Sequence, residues 1–100
     1  MKNASIYAKV RGGVTVVRVL IRPADSDFQW RAGAATRLRY VRDVICTHAG
    51  RQVFSARMDR WMPADPSFEF RIRSARAGET LRLSWRDNLG TAHSIESVIL

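Results

Sequence analysis

Cys46 and His48 are the residues whose types and spacing come closest to a catalytic pair. They lie two positions apart in a strand-like run, so their side chains share one face of that strand, about 7 Å apart. A histidine beside a cysteine is an arrangement that can activate a thiolate nucleophile. The alternation, however, places Tyr40, Val44 and Cys46 on one inward face, which favours a small buried residue with an unactivated thiol. We therefore assign no catalytic residue and expect a protein that is not an enzyme.

Metal and cofactor sites are not predicted either. The two histidines, His48 and His93, and the scattered carboxylates show no metal-ligand spacing. A single cysteine excludes both an intramolecular disulfide and a cysteine-based metal site. Gly12-Gly13 precedes a strand-like run and not a helix, so it does not match a phosphate-binding loop. The sequence therefore predicts a binding protein without a cofactor.

Short strand-like runs cover most of the 100 residues. In several of them apolar side chains recur at every second position, the period of a strand with one buried face. Gly12-Gly13 separates the first two runs, and a glycine pair accepts the positive φ angles of a hairpin turn. The predicted strands span Ser5–Val10, Val14–Ile21, Leu38–His48, Arg51–Met58, Pro66–Arg73, Glu79–Arg86 and Thr91–Leu100. Residues 1–100 are therefore predicted to form one all-β domain, an immunoglobulin-like β-sandwich of about seven antiparallel strands.

The connection formed by residues 22–37 is long for a domain of this size. Loops of this length in a compact domain tend to be functional or mobile. Phe28 and Trp30 lie within it, and they either anchor the loop on the core or offer an aromatic contact to a partner. The cost of exposing aromatic surface favours anchoring.

The chain has a formal net charge of +8, and 15 of its 17 basic residues are arginine. An acidic partner, either a nucleic acid or an acidic protein, is one explanation, and a solvated arginine-rich surface is the other. By alternation the outward basic residues include Lys9, Arg71, Arg73, Arg82 and Arg86. If the fifth and sixth predicted strands are neighbours, their four arginines form one positive face. Phe70 and Trp85 lie on the opposite sides of those strands, so no base-stacking aromatic is interleaved with the arginines. A basic β-domain that binds nucleic acid is thus the alternative function, and the pattern disfavours it.

Several short motifs, taken in their order, resemble the SoxZ family. They are Val17-Arg18-Val19-Leu20-Ile21, Tyr40-Val41-Arg42-Asp43-Val44, Thr47-His48-Ala49-Gly50-Arg51, Asp65-Pro66-Ser67-Phe68-Glu69-Phe70 and the segment from Ala77-Gly78-Glu79 to Gly90. The most specific are the turn from Trp85 to Gly90 and the His-x-Gly-basic turn that starts at His48. Together the motifs fall within roughly residues 6–99, nearly the whole chain.

The resemblance implies an immunoglobulin-like, non-catalytic subunit that forms a heterodimer with SoxY in thiosulfate oxidation. SoxY carries the sulfur substrate on a cysteine in a glycine-rich C-terminal arm, which SoxZ proteins lack. Cys46 stands where the family typically has a small apolar residue, so it is not expected to be a carrier cysteine. The resemblance also implies transient contact with other Sox enzymes. Met1–Val10 lacks an apolar signal core and no run is long enough to span a bilayer, which leaves a cytoplasmic protein, one exported with a partner, or one whose signal has been removed. The resemblance implies the second of these, a periplasmic protein exported with a signal-bearing SoxY.

The expected partner contacts lie in the long connection and in the turn that starts at Asp87. They are Arg22, Pro23, Phe28, Trp30, Asp87 and Asn88. In the family the first of these segments often contains His-Pro-Met-Glu-Thr-Gly. The corresponding stretch here, residues 22–27, keeps only the proline.

Overall fold

The computed structural model describes residues 4–22, 28–31, 34–37, 40–59 and 66–100, and for 28–31 and 34–37 it describes the backbone. Nine strands and no helix lie in these described residues. The strands are β1 Ala4–Arg11, β2 Val14–Ile21, β3 Phe28–Arg31, β4 Ala34–Arg37, β5 Val41–His48, β6 Arg51–Arg57, β7 Ser67–Ile72, β8 Thr80–Asp87 and β9 Ala92–Val98. All pairs within the sheets are antiparallel.

Seven of these strands form the two layers of a β-sandwich, as the alternation predicted. One sheet has the strand order β1-β2-β7 and the other has the order β6-β5-β8-β9. The all-β, immunoglobulin-like fold is therefore confirmed. The long connection formed by residues 22–37 contains two strands that were not predicted, because β3 and β4 pair with each other as a separate hairpin inside it.

The C-terminus joins the two sheets along one side. The Val10 amide donates to the Leu100 carbonyl at 2.9 Å, and the Leu100 amide donates to the Ala8 carbonyl at 2.9 Å. Leu100 thus bonds to the residues on both sides of Lys9, which is the hydrogen-bond pattern of a parallel pair. β1 and the end of β9 therefore run in the same direction, and their N-terminal ends lie at the same end of the sandwich.

The core consists of the inward side chains of both sheets. It includes Ala8, Val17, Val19, Ile21, Val44, Cys46, Ile72, Leu81, Leu83, Trp85 and Ile99. At the other side of the sandwich, Phe54 of β6 stacks on Phe70 of β7 with ring centroids 4.5 Å apart and lies 5.3 Å from Phe68. Such ring pairs contribute about 0.5–1.5 kcal/mol beyond the burial of their area, so they help to hold the two edge strands together.

Two tight hairpin turns use positive φ angles. Gly12 and Gly13 have φ values of +57° and +79°, the conformation that the glycine pair predicted. Between β5 and β6 the turn residues are Ala49 and Gly50, with φ values of +51° and +77°. Among the non-glycine residues that the structure describes, Ala49 is the one in the left-handed region, where its Cβ is crowded.

Candidate functional site

Cys46 and His48 both point into the sandwich, but they do not form a catalytic pair. Cys46 has no exposed surface, and burial raises the pKa of its thiol to about 11. His48 directs Nε2 to the Glu79 carboxylate at 3.0 Å. A fully buried, protonated thiol cannot act as a nucleophile at neutral pH. The prediction that Cys46 is an unactivated core residue is confirmed.

Glu79 connects the His48 ring to the turn that enters β8. Its Oε1 accepts a hydrogen bond from the Arg76 amide as well as the contact with His48. The Arg76 amide, followed by the His48 hydrogen bond, lowers the pKa of Glu79 below its ordinary value. The histidine therefore has a structural partner, and it ties the end of β5 to the residue 73–79 connection.

Asp87 orders the turn between β8 and β9. Its side chain is nearly buried, and Oδ1 accepts hydrogen bonds from the Leu89 amide at 3.0 Å and the Thr91 amide at 2.9 Å. Its other oxygen lies 3.7 Å from Nε2 of His93, whose ring stacks on Trp85. A short carboxylate that accepts nearby backbone amides is a common way to stabilise a turn.

Asn88 holds the chain just before β5. Its side-chain Oδ1 accepts a hydrogen bond from the Tyr40 backbone amide at 2.8 Å, and the backbone amide of Asn88 donates to the Tyr40 carbonyl at 3.0 Å. Asp87 and Asn88, both expected to contact a partner, thus make hydrogen bonds within the chain. Their partner contacts stay a prediction.

The other expected contact residues lie in or near the β2–β5 connection. Arg22 is exposed directly after β2. Phe28 and Trp30 lie on β3, in register with Arg37 and Ala35 of β4, and Pro23 falls outside the described residues. Arg22 and the Asp87 turn share one end of the sandwich, because Ile21 pairs with the start of β1 and Arg86 pairs with the start of β9.

The condition for a single positive face, that the fifth and sixth predicted strands are neighbours, is not met. These strands are β7 and β8, and they belong to different sheets. Arg71 therefore points away from one side of the sandwich, whereas Arg82 and Arg86 point away from the other. The basic residues divide between two outer faces.

The outer face of the four-stranded sheet carries a groove with small side chains at its floor. One cross-strand row consists of Ser55, Ile45, Ser84 and Ser94. The groove has a volume of about 710 Å³. Its charges are partly balanced, since Arg57 lies 3.4 Å from Asp43 and Arg82 lies 3.9 Å from Glu96.

The outer face of the three-stranded sheet is more strongly positive, and we call it the basic face. Its charged residues are Lys9, Arg11, Arg18, Arg71 and Glu69, and its other members are Tyr7, Val14, Val16 and Leu20. It contains two shallow grooves, of about 420 and 590 Å³, on either side of the Tyr7–Arg18–Glu69 row. Most of this face was not predicted from the sequence. The available signal was β2, whose outward positions Val14, Val16 and Leu20 are apolar around Arg18.

Two further kinds of site are not seen in the described residues. No group of three or more histidine, cysteine, aspartate or glutamate side chains there has a geometry that could hold a metal ion. Those residues also form no helix long and apolar enough to cross a membrane.

Comparison with known proteins gives one family. Residues 4–97 match the sequence model of the family described as "Sulphur oxidation protein SoxZ". The match covers nearly the whole chain and includes every strand except the last residue of β9. No curated protein matches the chain significantly.

Proposed function

Because the chain belongs to the SoxZ family and so has a role in Sox sulfur oxidation, we propose that it is a non-catalytic subunit of the Sox carrier complex. In this role it binds a SoxY-like protein whose C-terminal cysteine arm carries the sulfur substrate. The complex then presents that arm to the other Sox enzymes.

The state of Cys46 is the observation that supports this division of labour. A protein that carries a sulfur intermediate covalently needs an accessible thiol with a substantial thiolate fraction. Cys46 is the one cysteine in these 100 residues, it has no exposed surface, and its pKa is raised to about 11. Within a sulfur-oxidising complex, the thiol that binds the substrate is therefore proposed to come from a partner.

The proposed partner contacts are those expected from the sequence, at the end of the sandwich that holds Arg22 and the Asp87 turn. The shared location of these two segments supports one contact region. Asp87 and Asn88 hold the backbone of that region in place through their bonds to Leu89, Thr91 and Tyr40. Loss of either side chain would therefore affect the partner indirectly, through the shape of the surface.

The proposed location follows from the partner. A SoxY-like protein that brings an export signal would carry this subunit to the periplasm. To test this, a reporter enzyme that is active only after export is fused to this chain. Its activity is then compared with and without the co-expressed partner. Export of the reporter without the partner would contradict co-export.

Copurification tests the main proposal. The chain is co-expressed with a tagged SoxY-like protein from the same genome, and the eluate is analysed by size-exclusion chromatography with light scattering. We expect a stoichiometric heterodimer that persists at micromolar concentration. Absence of a heterodimer under these conditions would refute the proposal.

A charge-reversed pair of variants tests the contact region. Arg22→Glu lies at the end proposed to bind the partner, and Arg51→Glu, in the turn that enters β6, lies at the opposite end. The two variants change the net charge by the same amount. Both arginines are exposed, so neither substitution disturbs the core. We expect Arg22→Glu to weaken the heterodimer and Arg51→Glu to leave it unchanged. Equal effects would mean that the contact region lies elsewhere.

A further inference from the structure

The central strand of the three-stranded sheet has apolar residues at every position that faces away from the core except Arg18. Val14, Val16 and Leu20 point outward from β2 and are half-buried among their neighbours. A sheet with one solvated face normally alternates apolar and polar residues, whereas strands covered on both faces are apolar throughout. Tyr7, Arg18 and Glu69 on this side are substantially exposed, so the face is open to solvent at these positions. The composition of β2 therefore fits a sheet face that something covers.

Cations flank this apolar strip on both sides. Lys9 of β1 and Arg71 of β7 are both in register with Val16, so their backbones lie two strand spacings apart, about 10 Å. Arg11 follows Lys9 on the same face. At this separation the repulsion between exposed side chains is largely screened at physiological salt, and it grows as the salt concentration is lowered.

Only one carboxylate in the described part of the chain offsets these charges on this face. Glu69 lies 3.7 Å from Arg18, and both side chains are substantially exposed. Lys9, Arg11 and Arg71 have no ion pair among the described residues. Tyr7, in register with Arg18, is 45% exposed beside them. An apolar strip with a rim of arginine and tyrosine has the composition of a protein-binding surface.

We infer that the basic face is a docking site for a carboxylate-rich segment of an acidic protein partner. The apolar side chains of that segment lie on the strip formed by Val16 and Leu20, and its carboxylates pair with Lys9, Arg11 and Arg71. The positive charge of the face is neutralised in the complex. The inference concerns a different surface from the proposed SoxY contact region and does not depend on it.

Nucleic acid fits this face less well than an acidic protein does. Sequence-tolerant binding of single strands needs several aromatic side chains on which bases stack, and Tyr7 is the single aromatic residue on the face. Apart from Arg18, which is paired with Glu69, the strip consists of valine and leucine, and a phosphate backbone gains nothing from contact with these side chains. Glu69 also lies where a track of phosphates would pass.

Nuclear magnetic resonance on the isotope-labelled full chain provides the test. The probe is a short, end-blocked peptide of glutamate and leucine in a two-to-one ratio, and an oligonucleotide of equal charge is titrated in parallel. We expect the peptide to shift the amide signals of β1, β2 and β7, and to do so less as salt is raised. Shifts concentrated on β8 and β9, or tighter binding of the oligonucleotide, would overturn the inference.

A pair of double variants with equal charge loss checks the location. Lys9→Ala/Arg71→Ala removes two cations from the basic face, and Arg51→Ala/Arg86→Ala removes two exposed arginines from elsewhere. We expect the Kd for the peptide to rise about tenfold in the first variant and less than about twofold in the control, because only the first loses direct pairs. Equal weakening in both variants would mean that net charge alone attracts the peptide.

Discussion

Removal of the Asp87 side chain is expected to be among the most damaging changes that leave the core intact. In the Asp87→Ala variant, the Leu89 and Thr91 amides lose an acceptor at 3.0 and 2.9 Å. A hydrogen bond to a charged group contributes about 1.5–3 kcal/mol net, and water can partly replace it at a turn. We therefore expect the free energy of unfolding to fall by about 2–4 kcal/mol.

The Asp87→Asn variant separates charge from geometry. Asparagine keeps an oxygen near the two amides but removes the negative charge, so we expect a loss of about 1–2 kcal/mol. Asp43→Ala is the control, because Asp43 also sits in a carboxylate–cation contact, 3.4 Å from Arg57, but on the exposed surface. Exposed ion pairs are worth at most about 1 kcal/mol.

Urea unfolding followed by tryptophan fluorescence measures all three variants. Domains of this size commonly have a total stability of about 5–15 kcal/mol, so each variant is expected to remain folded without denaturant. The result that refutes the reasoning is an Asp87→Ala cost no larger than that of Asp43→Ala. In that case the hydrogen bonds at the turn would contribute no more than a surface ion pair.

Three further predictions concern single side chains. Cys46 should react with a thiol-specific reagent only as fast as the protein opens, because it is buried with a pKa of about 11, and mass spectrometry in native buffer and in urea checks this. The pKa of Glu79 is lowered from its ordinary value of 4.5, so its stabilising effect is present above that pH and is lost as the pH falls through the lower folded-state value. The gap in urea midpoint between the native protein and Glu79→Gln should therefore close in acid. Ala49→Gly should raise the free energy of unfolding by about 0.5–1 kcal/mol, because it removes the strain of a left-handed alanine at φ +51°. The greater entropy of glycine in the unfolded state offsets part of this gain. Thermal unfolding measures the difference.

Each of these three predictions has an opposite outcome that would contradict it. Rapid labelling of Cys46 in native buffer would mean that the core is open. A gap between the native protein and Glu79→Gln that grows as the pH falls below 4.5 would reverse the sign of the linkage, and a gap that stays unchanged in strong acid would contradict it. Ala77→Gly is the control for Ala49→Gly, since Ala77 is exposed in a turn without a positive φ; equal stabilisation by both glycines would remove the role of backbone strain.

The division of basic residues between two faces bears on how such a positively charged protein selects partners. The four-stranded sheet pairs Arg57 and Arg82 with carboxylates, so the charge of its outer face is partly neutralised. The three-stranded sheet leaves Lys9, Arg11 and Arg71 without such pairs among the described residues. Charge that is concentrated on one side orients an approaching acidic partner before contact, whereas evenly spread charge would not.

Local patterns in the sequence were sufficient for the seven strands of the sandwich and for their inward faces. The period of a strand is two, so a run such as Val14–Ile21 determines which residues point to the same side. A glycine pair determines a tight hairpin, because glycine accepts positive φ without a steric cost. The same alternation placed Cys46 inside, and the structure confirms it.

The pairing of strands was decided only by the tertiary structure. Alternation does not show which strands share a sheet. Arg71 and Arg82 would share a face only if their strands were neighbours, and they lie on opposite sides of the sandwich. The β3–β4 hairpin was not predicted because residues 31–37 show no clear hydrophobic period. The two strands are recognised only by their antiparallel backbone pairing.

The chemistry around Cys46 and His48 shows the same limit at the level of single residues. The sequence alone determined that the chain has one thiol, two histidines and alternating strands, and thus a β-sandwich with few groups for catalysis. Only the folded chain brought Glu79 to His48 from 31 residues away, and only the stacking of two sheets removed Cys46 from water. Burial and long-range hydrogen bonds depend on neighbours distant in sequence, and those neighbours are set by how the sheets pack.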